Sequence, residues 1–260
     1  MCVFVQLHFN FRNDISIVPL ALLDRPSFNI QLLENKDSEY LRGLDLGLTK
    51  EQILDMHPYK WDTTTVSIPI SLQISQKYSL PLHYTMEWVI VPDLYSERQV
   101  TRIDDAQIKK QAYLSPTRAM LVNIIETNKW NRPIYFTNNF EYYFLAGLDE
   151  YFQNCGLVSV LTPIKTENTS FQIHLPTLEK FVLHTNLKKY PDIILNDQPR
   201  ISWNMKNYEK SYLTLAQYYK TIGEQDKILE IIKCYKQNLQ IGFDVKNEQE
   251  ILNTLEELKE

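Results

Sequence analysis

Two short runs hold residue types that could grip a ligand: Asp24-Arg25, and Asn138-Asn139 just after Thr137. Together they supply a carboxylate acceptor, a guanidinium donor and amide groups of both kinds. Such a set can hold sugar hydroxyls or a carboxylate. Each run follows a stretch that reads as a strand, and in open α/β sheets ligands sit beyond the carboxyl ends of the strands. Asp24, Arg25, Asn138 and Asn139 are therefore the candidate binding residues, at the rim of a sheet. The same residue types cap helices and form turns, so that reading stands beside the first. Asp24 and Arg25 are also the acid–base pair that an enzyme with a site at this rim would use.

Other chemistries lack their residues. Phosphate loops need clustered glycines so that backbone amides converge on the anion, and the six glycines here are isolated. The five histidines show no i,i+4 pair and no H-E-x-x-H, and no C-x-x-C is present, so no metal site is expected. There is no G-x-S-x-G elbow. Asp104-Asp105 and Asp149-Glu150 are neighbours in sequence, whereas paired catalytic carboxylates face each other across a cleft. They read as a helix cap and a wet helix face. Asn168-Thr169-Ser170 fits a glycosylation sequon, which matters only in a eukaryotic secretory setting. No catalytic residue and no cofactor is expected.

The elements that would position the candidates centre on residues 115 to 164. Ser115 caps a helix and Pro116 fits its first position, where no amide donor is needed. Ala119, Met120, Leu121, Val122, Ile124 and Ile125 make that helix apolar around most of its circumference. Pro133 opens a strand, Ile134-Tyr135-Phe136. Phe140, Tyr143, Phe144, Leu148, Tyr151 and Phe152 follow at helical spacing, and Gly156 fits a left-handed stop. Leu157 to Leu161 is a second strand. Strand, helix, strand with short joins predicts a βαβ unit with parallel strands. Trp130, Pro133, Tyr135 and Phe136 should be mostly buried, and Phe144 should pack on the sheet.

Upstream, the nearly continuous apolar run Asp14 to Leu23 reads as a strand buried on both faces, with Pro19 as the objection. Ser27 can cap a short helix through Leu33, and Thr49 one from Lys50 to Met56. Thr63 to Ile74 and Tyr84 to Val91 read as strands of an antiparallel excursion, followed by a helix around Asp105 to Tyr113. After Lys165 comes a linker with one short strand at Phe171 to His174. Four helices follow: Pro176 to Tyr190, Asn204 to Ile222, Glu224 to Leu239 and Asn247 to Lys259. Ala216, Tyr219 and Gly223 have tetratricopeptide-like spacing, although any helical hairpin needs a turn glycine and small contact residues. The fold class expected is α/β: a Rossmann-like, mainly parallel sheet with an antiparallel excursion over residues 1–165, then a helical, tetratricopeptide-like tail over 166–260.

Composition narrows the partners. The 260 residues carry a net charge of −5, with no basic surplus for a nucleic-acid partner. The 16 tyrosines suit glycan or protein contact as well as a core with satisfied hydroxyls. Three distant cysteines give no disulfide framework. No run of about 18 apolar residues is present, so no membrane span is expected, and the N-terminus lacks the pattern of a secretory signal.

NKWNRPIYF (128 to 136) and GLDEYFQNCGLVSVLTPIK (147 to 165) resemble the soluble C-terminal region of a largely uncharacterised bacterial membrane-protein family described as protein O-mannosyltransferase-like. RNDISIVPLALLDRPSF (12 to 28) is similar to that family's first strand. The resemblance implies a periplasmic or extracytoplasmic module, with the cytoplasm left open, tethered to a membrane half that is missing here. Transferase activity does not carry over, because the donor-binding membrane half and an acidic motif upstream have no counterpart. The functional expectation is a non-catalytic soluble module related to envelope glycosylation that binds a glycan or a protein. The alternatives are protein contact through the helical tail and an enzyme with a site at the sheet rim. The family's missing upstream strand would leave Asp14 to Leu23 with an unpaired edge.

Overall fold

The computed structural model describes residues 18–34, 44, 46–57, 59–60, 64–90, 93–94, 112–137, 147–165, 172–186, 198–238 and 245–259. The chain divides into two compact units: Met1–Pro133 with Glu141–Asp149, and Ile134–Phe140 with Glu150–Glu260.

The first described element of the first unit is a single 3-10 turn, Leu20–Leu22, after an extended Pro19. Helix α1 spans Pro26–Glu34 and α2 spans Lys50–Leu54. Strands β1 (Tyr59–Lys60) and β2 (Thr64–Pro69) follow. Ser71 accepts the Ile74 amide and starts α3 (Leu72–Lys77). Next come β3 (Thr85–Ile90), β4 (Asp93–Leu94), β5 (Ala112–Leu114) and α4 (Pro116–Asn128). β2 and β3 pair antiparallel, Ile68 facing Met86 and Val66 facing Trp88. Alternation puts Met86, Trp88 and Ile90 on the buried face of β3 and Glu87 and Val89 on the exposed one. β1, β5 and β4 form a second antiparallel sheet with β5 central. A separate cluster of Leu23, Leu32, Leu46, Ile53 and Met120, all fully buried, joins the 3-10 turn, α1, α2 and α4.

The second unit holds a three-stranded sheet of β6 (Tyr135–Thr137), β7 (Phe152–Asn154) and β8 (Val158–Leu161), in the order β6-β8-β7. Among the described residues it also holds helices α5 (Leu175–His184), α6 (Gln198–Ile222), α7 (Gln225–Asn238) and α8 (Val245–Leu258). Their core includes Leu178, Val182, Leu215, Ala216, Ile228 and Leu255. Within it Tyr212 and Tyr235 meet edge to face, 5.5 Å between centroids. Gly223 (φ 79°) turns α6 into α7, and the Glu224 amide reaches back to the Tyr219 carbonyl at 2.9 Å. That is the left-handed helix stop expected of a glycine there.

The Rossmann-like parallel sheet is not found among the described residues: every strand pair in their sheets runs antiparallel, and the sheets have two or three strands. The reason is local. The Asn154 side-chain oxygen accepts the Gly156 amide at 2.7 Å, and the Cys155 amide donates to the Val158 carbonyl at 2.8 Å. Gly156 (φ 111°) therefore closes a hairpin between β7 and β8 instead of stopping a helix. Phe152 pairs with Leu161 as a strand residue and packs on Phe136, 4.8 Å between ring centroids. Asp149–Tyr151 is a 3-10 turn, while Phe140, Tyr143 and Phe144 lie outside the described residues.

Other expectations are corrected in the same way. The strand assigned to Asp14 through Leu23 is a 3-10 turn where it is described, and Asp14 to Ile17, with the unpaired-edge expectation there, lie outside the described residues. β2 stops at Pro69, since the Ser71 cap diverts the chain into α3. Ala112–Leu114 is strand where a helix was expected. Phe136 is 7% exposed, but Tyr135 is 56% exposed, Pro133 is exposed and Trp130 is half-buried. Side chains alternate along β6, so Phe136 packs on Phe152 while Tyr135 faces the opposite, exposed side.

Two outcomes follow from the second unit. A Cβ on Gly156 would lie 2.5–3.0 Å from the Phe181 ring, in a backbone conformation that L-residues avoid. Gly156→Ala should cost about 2 kcal/mol or more in chemical denaturation. Gly223→Ala has open space and only the left-handed penalty, about 1 kcal/mol. Tyr212, Tyr219 and Tyr235 are held above the ordinary tyrosine value of 10, chiefly by burial. Glu179 adds to this at Tyr219 by accepting its hydroxyl, and Glu209 and Glu248 add to it at Tyr235. Their neutral forms stabilise the fold fully below about pH 10, and that stability is lost as pH rises through the folded values. Alkaline titration should therefore show helix loss and tyrosinate absorbance rising together.

Candidate functional site

A groove of about 410 Å³ lies in the first unit between α2, with the turn after it, and α4. Its size falls in the range of about 300–1,000 Å³ typical of ligand pockets. Each wall has a local cause. The Thr49 hydroxyl accepts the Gln52 amide, and the Gln52 side chain accepts the Thr49 amide at 2.8 Å. This reciprocal box fixes the start of a helix too short to hold itself. α4 is set by Ser115, whose side chain accepts the Arg118 amide at 3.4 Å, with Pro116 in the first turn. Helical spacing then lines up Pro116, Ala119, Met120, Asn123 and Glu126 along the groove.

The floor is apolar: Leu114 and Met120 are buried, and Leu48, Met56, Ala119 and Val122 are half-buried. The rim is polar and exposed, made of Gln52, Asp55, His57 and Glu126. The His57 Nδ1 lies 2.7 Å from the Asp55 carbonyl oxygen. A carbonyl can only accept, so Nδ1 donates, and the neutral ring keeps Nε2 as an acceptor. Asn123 Oδ1 is buried without a hydrogen-bond partner. None of the described lining residues is lysine or arginine.

Past the end of α4 the chain enters the NKWNRP run. Lys129 (φ 45°) and Trp130 (φ 62°) are both left-handed, a conformation costing L-residues about 1–2 kcal/mol each. The loop is tied by Asn128, whose side-chain amide donates to the Arg132 carbonyl at 2.7 Å. The Asn131 amide donates to the Asn128 carbonyl at 2.8 Å. Half-buried Trp130 keeps its Nε1 buried without a partner.

Asp24 and Arg25 do not join this groove. Both are exposed on the turn between Leu20–Leu22 and α1. The Arg25 carbonyl accepts the Phe28 and Asn29 amides at 3.0 and 3.1 Å, so this backbone does the work of a turn and helix start. No strand precedes them among the described residues, and the rim that motivated them is absent there. Asn138 and Asn139 lie outside the described residues. Sequence reasoning missed Asp55, His57, Asn123 and Glu126. One signal was visible: Asn123 is a lone amide within the apolar run Ala119 to Ile125.

Lys129→Gly should raise stability by about 1 kcal/mol by relieving a left-handed side chain. Asn128→Ala should lower it by about 1 kcal/mol through loss of the loop's cross-tie. Thermal or urea unfolding of both variants, with tryptophan fluorescence as probe, checks the pair.

Residues 84–179 match the family model described as TMEM260-associated domain 2. Neither the curated proteins nor the solved structures gave a match. Among the described residues no helix is long and apolar enough to cross a membrane. The matched stretch contains the runs at 128–136 and 147–165 and leaves out 12–28. It bears out the resemblance in its coarser form: this part of the chain is similar to a domain associated with an O-mannosyltransferase-like membrane protein.

Proposed function

We propose that the chain is a binding module serving envelope glycosylation, without chemistry of its own, and that its ligand site is the α2–α4 groove. The observation that carries this reading is the pairing of an apolar floor with a polar rim at Gln52, Asp55, His57 and Glu126 and a buried, unpartnered Asn123 oxygen. The family match over residues 84–179 supports the glycosylation setting, and it includes all of α4. A glycan or a protein segment would lie on the floor and bond to the rim. An extracytoplasmic place and a tether to a membrane-spanning part belong to the same proposal.

The test is binding of the full chain to an immobilised panel of glycans and envelope-protein peptides, with Ala119→Phe as the groove-filling variant. The reading expects binding at least about tenfold weaker in the variant, with unchanged thermal unfolding. Equal binding by both proteins would move the site elsewhere.

A second reading, protein contact through the helical unit, is favoured by the α6–α7 hairpin. Ala216 and Tyr219 are buried at its contact, while Ile222 and Leu229 stay 51% and 44% exposed. An Ile222→Asp/Leu229→Asp variant would then lose its partner in a pull-down while Ala119→Phe keeps it.

A further inference from the structure

The groove presents acceptors. Asp55 and Glu126 bring carboxylates, and Asn123 carries an amide oxygen with no partner of its own. The described lining holds no lysine or arginine that would neutralise the two carboxylates. Between these groups runs an apolar floor of Met56, Ala119 and Met120. An ammonium on an aliphatic stem has the complementary shape: donors only at its head and methylenes along its length.

We infer that the groove takes the side chain of a lysine on a basic, extended segment of a partner protein. The stem lies over Met56 and Ala119, and the ammonium faces the rim that carries Asp55 and Glu126. A neutral saccharide could bond to the same acceptors but would bring no positive charge to the two carboxylates. This inference rests on the groove being the chain's binding site and adds the ligand's charge. Exposed ion pairs are weak and screened by salt, so the affinity should be modest and should fall as ionic strength rises.

Calorimetric titration of the full chain tests this with three probes: an acetylated, amidated Ala-Lys-Ala-Lys-Ala peptide, its glutamine counterpart and methyl mannoside. Each is run on the native chain, on Glu126→Gln, and on Asp55→Asn/Glu126→Gln, with thermal unfolding confirming that each variant is folded. The inference expects the lysine peptide alone to bind, about three- to tenfold more weakly to the double variant and by an intermediate amount to the single one. A lysine peptide that binds all three proteins alike overturns it. A saccharide that binds in its place, weakened by the same substitutions, also overturns it but leaves the groove as the site. If no probe binds at millimolar levels, the inference is overturned, and only the Ala119→Phe comparison bears on the groove itself.

Discussion

The buried contact of Met120 with Leu23, Leu32, Leu46 and Ile53 is what the first unit depends on. α2 has only five residues and could not persist alone in water. It is held because Ile53 is fully buried against this cluster while the Thr49 box satisfies its first amides. α4 supplies Met120 to the cluster on one side and Ala119, Asn123 and Glu126 to the groove on the other. The groove thus exists because a long, capped helix and a short, capped helix share one hydrophobic anchor. Truncating Met120 would remove floor and support together, an effect of roughly 2–5 kcal/mol for a buried methionine.

The second unit is organised differently. Its helices meet through aromatic and polar contacts as much as through aliphatic ones: Tyr212 against Tyr235, Phe181 stacked on Tyr208, and Tyr219 bonded to Glu179. Lys227 lies 3.8 Å from that same Glu179, and Lys236 pairs with Glu256 on α8 at 2.7 Å. Among the described residues the buried tyrosines are Tyr151, Tyr212, Tyr219 and Tyr235, all in this unit. Of the two readings that composition allowed, the core accounts for Tyr212, Tyr219 and Tyr235, while Tyr135 remains on the surface.

What was legible in the sequence was what short-range chemistry decides. Ser115-Pro116 and Thr49 start their helices where expected, β2 and β3 pair antiparallel, and Gly223 turns α6 into α7. What was not legible depended on partners distant in sequence. Phe152 fits a helical period as well as a strand, and only the Asn154–Gly156 turn decides between them. The run up to Leu23 looked like a buried strand because its apolar residues are continuous. Apolar continuity does not fix backbone shape: among the described residues of this run Leu23 is buried at the end of a 3-10 turn, while Pro19 and Ala21 are exposed. The groove residues Asp55, His57 and Asn123 form no motif, since tertiary packing alone brings α2 beside α4. Asp24 and Arg25 were chosen for a sheet rim, and their turn serves the start of α1 instead.

The proposal that the α2–α4 groove binds a ligand can be read from the methionines directly. Met56 and Met120 line the groove, while Met86 is buried in β3 among other residues. Methyl-detected magnetic resonance of the full chain, titrated with the lysine peptide, reads all three at once. The account predicts that the Met56 and Met120 signals move together and saturably while Met86 stays still. Signals from Met56 and Met120 that remain fixed while other methyl groups shift would contradict it.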